Sequence, residues 1–274
     1  MMESPSAQTV SLAEPESGGL QGVGRALDIL EYVADRGVTA TALVQALGIK
    51  WATAHRTLRF LAERGYLERD KQTGVYAIGP RAYAVGGAYV ANLALVHITS
   101  AHLPQMVEES GATAQLVRRD GDRSLVVSVN QPAATPVAQT SVGFNWPLHS
   151  GSKGHVLLAW ESAAFVDRYL SEPLAALTVH TITDPEKLRA RLALVRERGY
   201  AVTSRDTRLF SASVAAPIRG ADDEVVASLT LIVSPTELQK RMTRLIEIVL
   251  RRAEAISLML GWRPDGAVVP SRRA

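Results

Sequence analysis

The segment KWATAHRTLR, residues 50–59, concentrates side chains that can donate hydrogen bonds to anions and to base edges. Read as a helix, it buries Ala54, Leu58 and Leu61, and its opposite face carries no carboxylate before Glu63. That face and the helix start present Lys50, Trp51, Thr53, His55, Arg56 and Arg59. An arginine can donate two hydrogen bonds to guanine O6 and N7, and a threonine can contact a thymine methyl group. The pattern therefore predicts a surface that reads DNA.

Residues 149–154, HSGSKG, form a candidate site of a different kind. Gly151 and Gly154 allow backbone N–H groups to approach a ligand, and the helix predicted to follow adds its positive end. Lys153 adds a point charge. Because a small carboxylate needs such donors in a concave, mostly apolar setting, the loop predicts a pocket for a small organic acid.

Two other kinds of chemistry fit this loop less well. Ser150 and Lys153 match the Ser-x-x-Lys of serine acyl-enzymes, but no Ser-Asp-Asn or Lys-Thr-Gly partner follows, so no catalytic residue is predicted. His149 and His155 flank the loop, yet none of the six histidines forms a His-Glu-x-x-His motif or a helical i, i+4 pair. Neither a metal nor another cofactor is therefore predicted. A winged module that binds protein instead of DNA remains the alternative for residues 50–59.

The composition limits the class of protein. A chain of 274 residues with 47% hydrophobic residues has room for roughly two domains. Without cysteine, disulfides and thiolate metal sites are excluded, which fits a reducing compartment. We find neither an apolar run of about eighteen residues nor a signal peptide, so we expect a cytoplasmic protein with no membrane partner. The net charge of +3 favours a polyanionic partner only weakly.

Three short helices must position residues 50–59. Apolar spacing predicts them at 25–36, 40–47 and 51–64. Thr39 is the expected N-cap of the second helix, Gly48 ends it, and Gly65 ends the third.

A β-hairpin follows these helices. Its predicted strands, 66–70 and 75–78, flank a turn at 71–74. Three helices and a hairpin are the layout of a winged helix-turn-helix. Phosphate contacts that position such a module are expected from Arg25 in the first helix and from Arg69 and Lys71 at the hairpin tip.

The rest of the chain predicts an α+β domain with an antiparallel sheet. A linker helix that makes a dimer contact is expected over 81–98. Strands are expected at 113–117, 124–129, 135–140, 200–204, 212–218 and 224–233. Helices are expected at 100–110, 153–160, 162–170, 183–198 and 235–260, and capping boxes at Thr183–Glu186 and Ser234–Glu237 open the last two. The predicted organisation is a disordered arm (1–20), the winged module (21–80), the linker (81–98), the second domain (99–263) and a disordered tail (264–274).

Several stretches resemble one family of proteins. The stretch GVGRALDILEYVADRGVTATALVQALGIKWATAHRTLRFLAERGYLERDKQTGVYAIGPR is similar to the DNA-binding module of the IclR family of bacterial transcription regulators. PLHSGSKGHVLLAW, TITDPEKLRARLALVRERGYAV and SVAAPIRGADDEVVASLTL resemble its effector-binding domain, in that order. The likeness covers residues 22–260. It implies a winged helix-turn-helix, a linker helix and a GAF-like effector-binding domain.

The resemblance also implies partners and site residues. Family members are dimers or tetramers that bind double-stranded operator DNA near genes for catabolism of small organic or aromatic acids. Thr53 and Arg56 match positions that meet bases, and Arg25 matches a phosphate contact. The expected effector-binding residues are His149, Ser152, Lys153, Gly154, Asp206, Ser213 and Thr230.

Two departures from the family pattern bear on these sites. Trp51 and Ala52 replace the basic residue and the serine that commonly open the recognition helix, which predicts an unusual operator sequence. Phe210 stands where the family has a glycine, and Asp206 remains of the usual acidic pair. The shape of the effector pocket is therefore expected to differ from that of its relatives.

Overall fold

The computed structural model describes residues 21–35, 37–91, 93–133 and 140–264. These residues divide into two compact units at the boundary between residues 92 and 93. The predicted arm, most of the predicted tail and the strand predicted at 135–140 lie outside the described residues, apart from Thr140, which is not in a strand, and Pro264. The predicted domain limits stay predictions.

The described residues of the first unit form four helices and a small sheet. Its elements are α1 (Gln21–Asp35), β1 (Val38–Thr39), α2 (Ala40–Leu47), α3 (Trp51–Glu63), β2 (Leu67–Arg69), β3 (Val75–Ile78) and α4 (Pro80–Ala91). Its core consists of apolar side chains from the three helices and the sheet: Ile29, Val33, Val38, Leu43, Ala54, Leu58, Leu61, Leu67 and Tyr76. The winged helix-turn-helix predicted from the sequence is confirmed.

Local signals explain where these helices end. The Thr39 hydroxyl accepts a hydrogen bond from the Ala42 N–H at 3.3 Å and caps α2, as predicted. Gly48 and Gly65 adopt left-handed conformations after α2 and α3. Strand β1 was not predicted from the sequence; its two residues pair antiparallel with β3 and complete a sheet of order β1-β3-β2. Two residues are too short for a period-of-two signal.

The second unit packs helices on both faces of one sheet. Its elements are α5 (Ala94–Thr99), α6 (His102–Ser110), β4 (Thr113–Asp120), β5 (Arg123–Asn130), β6 (Asn145–Pro147), α7 (Gly151–Ala159), α8 (Ala163–Ser171), α9 (Pro185–Arg198), β7 (Ala201–Ser204), β8 (Ala212–Arg219), β9 (Val225–Val233) and α10 (Pro235–Met259). The strands pair antiparallel in the order β6-β5-β4-β9-β8-β7. The predicted α+β class with an antiparallel sheet is confirmed.

The two faces of this sheet differ in character. Alternate residues such as Leu116, Val214 and Leu229 pack with α6 and α10 in one apolar core. The residues between them face α7 and include Gln115, Ser213, Ser228 and Thr230, because successive strand side chains point to opposite faces. The α7-facing side of the sheet therefore carries a row of polar side chains, of which Gln115, Ser228 and Thr230 are buried and Ser213 is half-buried.

Two sequence expectations need correction. The segment 81–98 is not one linker helix. It is divided between α4 and α5, and Leu93, Leu95, Val96 and Ile98 pack into the core of the second unit. The cap of α9 is Asp184 instead of Thr183, since the Asp184 carboxylate accepts from the Lys187 N–H at 2.9 Å. Either side chain can cap a helix.

Gly154 joins α7 to the preceding segment through backbone contact. A Cβ atom at this position would lie 2.4 Å from the Leu148 carbonyl oxygen, so any side chain would force two backbone segments apart. This packing requires glycine without involving a ligand.

We predict that Gly154→Ala lowers the free energy of unfolding of the second unit by about 1–3 kcal/mol, the usual effect of overpacking. Gly24→Ala is the matched control, since Gly24 lies in α1 with open space around a Cβ atom. Removing a helical glycine there should stabilise by about 0.5–1 kcal/mol. Urea denaturation measures both, and equal stabilities of G154A and wild type would contradict the prediction.

Candidate functional sites

Helix α3 packs one face into the core and leaves its polar face exposed. Ala54, Leu58 and Leu61 are fully or almost fully buried, whereas Arg56 and Arg59 are exposed. Thr53 lies at the edge of the buried stripe and is half-buried. The helix therefore holds its basic side chains away from the core, with the orientation expected from the sequence.

The start of α3 and the β2–β3 hairpin enclose a cleft of about 250 Å³. Trp51 is half-exposed there, and its ring stacks on that of His55 with centroids 6.1 Å apart. The cleft is lined by Thr39, Ala40, Thr41, Trp51, His55, Arg69, Thr73, Gly74 and Tyr76. Aromatic and basic side chains thus share one concave surface beside the recognition helix.

The hairpin tip, which we call the wing, is stiffened by Asp70. Its carboxylate accepts from the Gln72 and Thr73 N–H groups at 2.7 and 2.9 Å, and these hydrogen bonds lower the pKa of Asp70. Arg69 lies over the Tyr76 ring at 5.7 Å, and Lys71 is exposed at the turn. The wing therefore holds two basic side chains on a turn with a defined shape.

The basic side chains of this unit differ in their partners. Arg59 forms an exposed ion pair with Glu63 at 3.5 Å, which reduces the positive charge it offers to a ligand. Lys50 and Arg56 have no acidic partner within the part of the chain that the structure describes. Arg25 lies on α1, where it is half-buried.

The first turn of α7 already holds an internal carboxylate. Asp206, in the loop between β7 and β8, accepts from the Gly151 N–H at 2.9 Å. The Thr203 hydroxyl accepts from the Ser152 N–H at 3.0 Å. Two of the backbone donors expected to hold a ligand are therefore occupied by side chains of the protein itself.

Ser152 and Ser213 connect α7 to the sheet. The Ser152 hydroxyl donates to the Ser213 hydroxyl at 2.7 Å, and the Thr203 and Ser213 hydroxyls lie 3.1 Å apart. Thr230 lies on the same face of the sheet, paired in register with Gln115 and Ala215, and its hydroxyl is 3.4 Å from that of Ser228. Ser152 and Ser213 thus touch, whereas Thr230 belongs to a neighbouring part of the same polar face.

Lys153 is buried although it lies near the helix start. Its ammonium lies 5.7 Å from the centroid of the Trp146 ring, and the Arg208 guanidinium lies 5.4 Å from the same centroid. Burial and the charge of Arg208 lower the pKa of Lys153 to about 8, against a smaller opposing effect of Asp206. Burial also lowers the pKa of Arg208.

His149 and His155 are buried and are bonded inside the protein. The His149 ring nitrogens contact the Tyr169 hydroxyl at 2.8 Å and the Ala175 carbonyl oxygen at 2.9 Å. His155 Nε2 contacts the His149 carbonyl oxygen at 2.9 Å. Burial lowers the pKa of both, that of His155 to about 4. Since both ring nitrogens of His149 are engaged, its geometry is that of a structural residue.

Four residues at this site were missed by the sequence analysis: Gln115, Trp146, Thr203 and Arg208. Trp146 directly precedes Pro147-Leu148, and Arg208 lies within the loop already noted as departing from the family pattern, so a weak signal existed for both. Gln115 and Thr203 are ordinary strand residues with no local signal. The buried Oε1 of Gln115 and Oδ1 of Asp206 lack hydrogen-bond partners among the described residues.

This geometry adds no support for a serine acyl-enzyme or for a metal site. The Ser150 hydroxyl donates to the Pro147 carbonyl oxygen at 2.9 Å. Over the described ranges, no group of three His, Asp or Glu side chains is arranged to hold a metal ion.

In the described part of the chain, no single helix is long and apolar enough to cross a membrane. Helix α4 and the segment Ala94–Ser110 pass the length and composition test only when they are joined as one bent pair.

Comparison with known proteins bears on both units. Residues 87–258 match the family described as bacterial transcriptional regulator IclR C-terminal, and residues 22–71 match the IclR helix-turn-helix domain. The chain is 32% identical over 265 residues to the HTH-type transcriptional regulator BhcR of Paracoccus denitrificans, covering 95% of each protein. It is 28% identical over 253 residues to the transcriptional repressor IclR of Escherichia coli, covering 90% of this chain and 92% of the repressor.

Solved structures agree with the sequence relatives. An IclR transcriptional regulator from Alicyclobacillus acidocaldarius superposes with a TM-score of 0.75 at 27% identity, covering 88% of this chain and 98% of the other. An IclR homologue from Microbacterium hydrocarbonoxydans, solved in complex with 4-hydroxybenzoate, gives a TM-score of 0.73 at 25% identity and covers 88% and 99%.

The two family matches fall on the two parts of the fold. The helix-turn-helix model covers α1 to the wing, and the C-terminal model covers the sheet with the α7 site. Relatives match over nearly the whole chain. This protein belongs to the IclR family of bacterial transcriptional regulators, with a helix-turn-helix DNA-binding domain and an effector-binding domain.

Proposed function

We propose that this regulator reads its operator through Arg56 and Thr53 on α3, while Lys50, Arg69, Lys71 and Arg25 contact phosphates. The observation that carries the proposal is the exposed Arg56 side chain on a face whose other side is packed into the core. A guanidinium without an acidic partner among the described residues can meet guanine with two hydrogen bonds. His55, Trp51 and Arg59 border this face, Arg59 with its charge partly matched by Glu63.

The second proposal is that the protein acts as a homo-oligomer, at least a dimer, through α4. This helix has no buried residue in its own unit, and Tyr83 is 80% exposed. Tyr83, Gly86, Gly87 and the half-buried Val90 follow helical spacing, the first three are exposed, and the glycines permit close approach of another helix. An exposed apolar stripe of this kind marks an interface. A second copy suits it, because a two-fold dimer presents two recognition helices about 34 Å apart to a palindromic operator.

The third proposal is that the polar face of the sheet and the start of α7 form a pocket for a small organic or aromatic acid, and that the regulated genes serve its catabolism. The relative in complex with 4-hydroxybenzoate supports this class of effector. The buried polar row on the sheet and the two cations beside Trp146 support an anionic ligand. We infer that the protein is not an enzyme and that it works in the cytoplasm, where operator DNA is found.

Arg56→Ala should weaken binding to the operator by about 1–3 kcal/mol and weaken binding to random duplex much less, because a lost base contact costs discrimination. Fluorescence anisotropy with fragments from upstream of the gene and with scrambled fragments measures both. Arg59→Ala is the matched control and should have a smaller effect, since Arg59 is paired with Glu63. Equal losses on both duplexes would show that Arg56 reads no base, and no affinity of the wild type for any duplex at low salt would favour a protein-binding module.

Lys71→Ala should weaken binding to the operator and binding to a random duplex by similar factors, because a phosphate contact carries no sequence information. The slope of log K against log salt should fall by about 1, the value for one lost contact. Titrations at several salt concentrations measure it. A changed base preference in K71A would contradict the assignment to phosphate.

Tyr83→Glu should raise the dissociation constant of the dimer by about a hundredfold or more, because it buries an unpaired charge. Sedimentation velocity over a concentration series measures this. The control is Arg81→Gln, since Arg81 lies two residues away on a different face of α4. A Tyr83→Glu protein that sediments like wild type would place the dimer contact elsewhere.

A further inference from the structure

The Lys153 ammonium is a buried charge that the neighbouring Asp206 offsets only in part. The side chain is 94% buried, with a relative exposure of 6%. Within the described residues it forms no hydrogen bond and no ion pair, and its nearest recorded partner is the face of Trp146 at 5.7 Å. Removing an ammonium from water without a partner is costly, so such a group is seldom kept for stability.

A second cation increases that cost instead of relieving it. Arg208 lies 5.4 Å from the centroid of the same Trp146 ring, and its charge contributes to the lowered pKa of Lys153. Asp206 is the acidic residue of the β7–β8 loop. Its Oδ2 atom accepts a hydrogen bond from the Gly151 N–H and makes no ion pair with Lys153. The site therefore has two positive side chains, and the nearby Asp206 offsets the charge of Lys153 only in part.

The backbone N–H groups of Gly151 and Ser152 at the start of α7 are not free to bind an anion. Asp206 and Thr203 occupy the N–H groups of Gly151 and Ser152. An anion entering this pocket would have to displace them, whereas the Lys153 ammonium has no bond to lose within the described chain.

We propose that the carboxylate of the effector is held by the side chains of Lys153 and Arg208 beside Trp146, and that these two residues determine the preference of the pocket for acids. This deepens the proposed effector function and rests on it. A carboxylate placed there accepts charge-assisted hydrogen bonds from both cations. It also removes the repulsion between them.

Acid binding must then respond to pH through Lys153. The charged and titratable groups around the ammonium are Arg208 and Asp206, and Asp206 in turn is near His149, His155 and Arg191. Burial lowers the pKa of both histidines, so they stay neutral above neutral pH. As pH rises through about 8, the free protein loses the Lys153 proton. Acid binding above that pH should therefore weaken and take up a proton.

The experiment uses the full-length protein and isothermal titration with formate, acetate, pyruvate, benzoate and 4-hydroxybenzoate, with acetamide and benzamide as neutral counterparts. Each acid that binds wild type should bind Lys153→Met and Arg208→Gln at least about tenfold more weakly, as expected for loss of a charged partner. Titration in buffers of different ionisation enthalpy should show proton uptake in wild type near pH 8. Lys153→Arg should keep the affinity and lose the uptake. Lys187→Met, an exposed lysine on α9, is the control and should match wild type.

A readout without ligand tests the same charge. Lys153→Met should raise the Tm of the free protein near neutral pH, because it removes an unpaired buried ammonium. The folded-state pKa of Lys153 lies below its unfolded value of about 10.4, so the cost is present below about pH 8 and disappears as pH rises between the two values. The difference in Tm between Lys153→Met and wild type should therefore decrease as pH rises between these two pKa values.

The outcomes separate this inference from the function on which it rests. If acids bind wild type and K153M equally, with the same proton uptake, the Lys153–Arg208 site is refuted while the acid-binding pocket stands. If no acid binds wild type, or only the amides do, the proposed class of effector fails as well. A Tm of K153M below that of wild type near neutral pH would also overturn the inference, since it would mean that the ammonium is satisfied in the free protein.

Discussion

The hydrogen bond from the Gly151 N–H to the Asp206 carboxylate constrains the candidate effector site, because it fixes the β7–β8 loop against the start of α7. It ties the β7–β8 loop to the first turn of α7 across 55 residues of sequence. Burial raises the pKa of Asp206, and this backbone hydrogen bond opposes the rise. Because the positive end of α7 is satisfied from inside the protein, the charge left for a ligand comes from side chains, and the same loop that supplies Asp206 supplies one of them, Arg208.

Both units obtain their functional surface from the polar side of an element whose other side is buried. In α3 the stripe of Ala54, Leu58 and Leu61 fixes the rotation of the helix, so Arg56 must point outward. In β8 and β9 the strand period of two sends Val214 and Leu229 into one core and Ser213 and Thr230 towards α7. Substitution on the polar side can therefore change recognition with little effect on the cores that hold each unit together.

The sequence predicted most of the fold because its signals are local. Helical spacing and the glycines after α2 and α3 located the helix-turn-helix, and the Ser234 cap, which accepts from the Glu237 N–H, located α10. Prediction failed where tertiary contact decides. The apolar residues after α4 gave no sign that they join another core, and β1 exists only through its pairing with β3. At the α7 site the loop 149–154 was predicted to bind a ligand. Thr203, Asp206 and Arg208 lie in a strand and a loop that are distant in sequence, so helical or strand periodicity does not predict their proximity to it.

A regulator can use effector binding only to the extent that the effector prefers one arrangement of the protein over another. The β7–β8 loop is where such a preference can begin, since it carries Asp206, bonded to α7, and Arg208, beside Trp146. Leu209 and Phe210 follow directly and are more than half exposed. At the proposed site, an anion would attract Arg208, while Asp206 is bonded to the Gly151 N–H of α7. In the proposed complex, relief of the repulsion between Lys153 and Arg208 would act on this loop through Arg208.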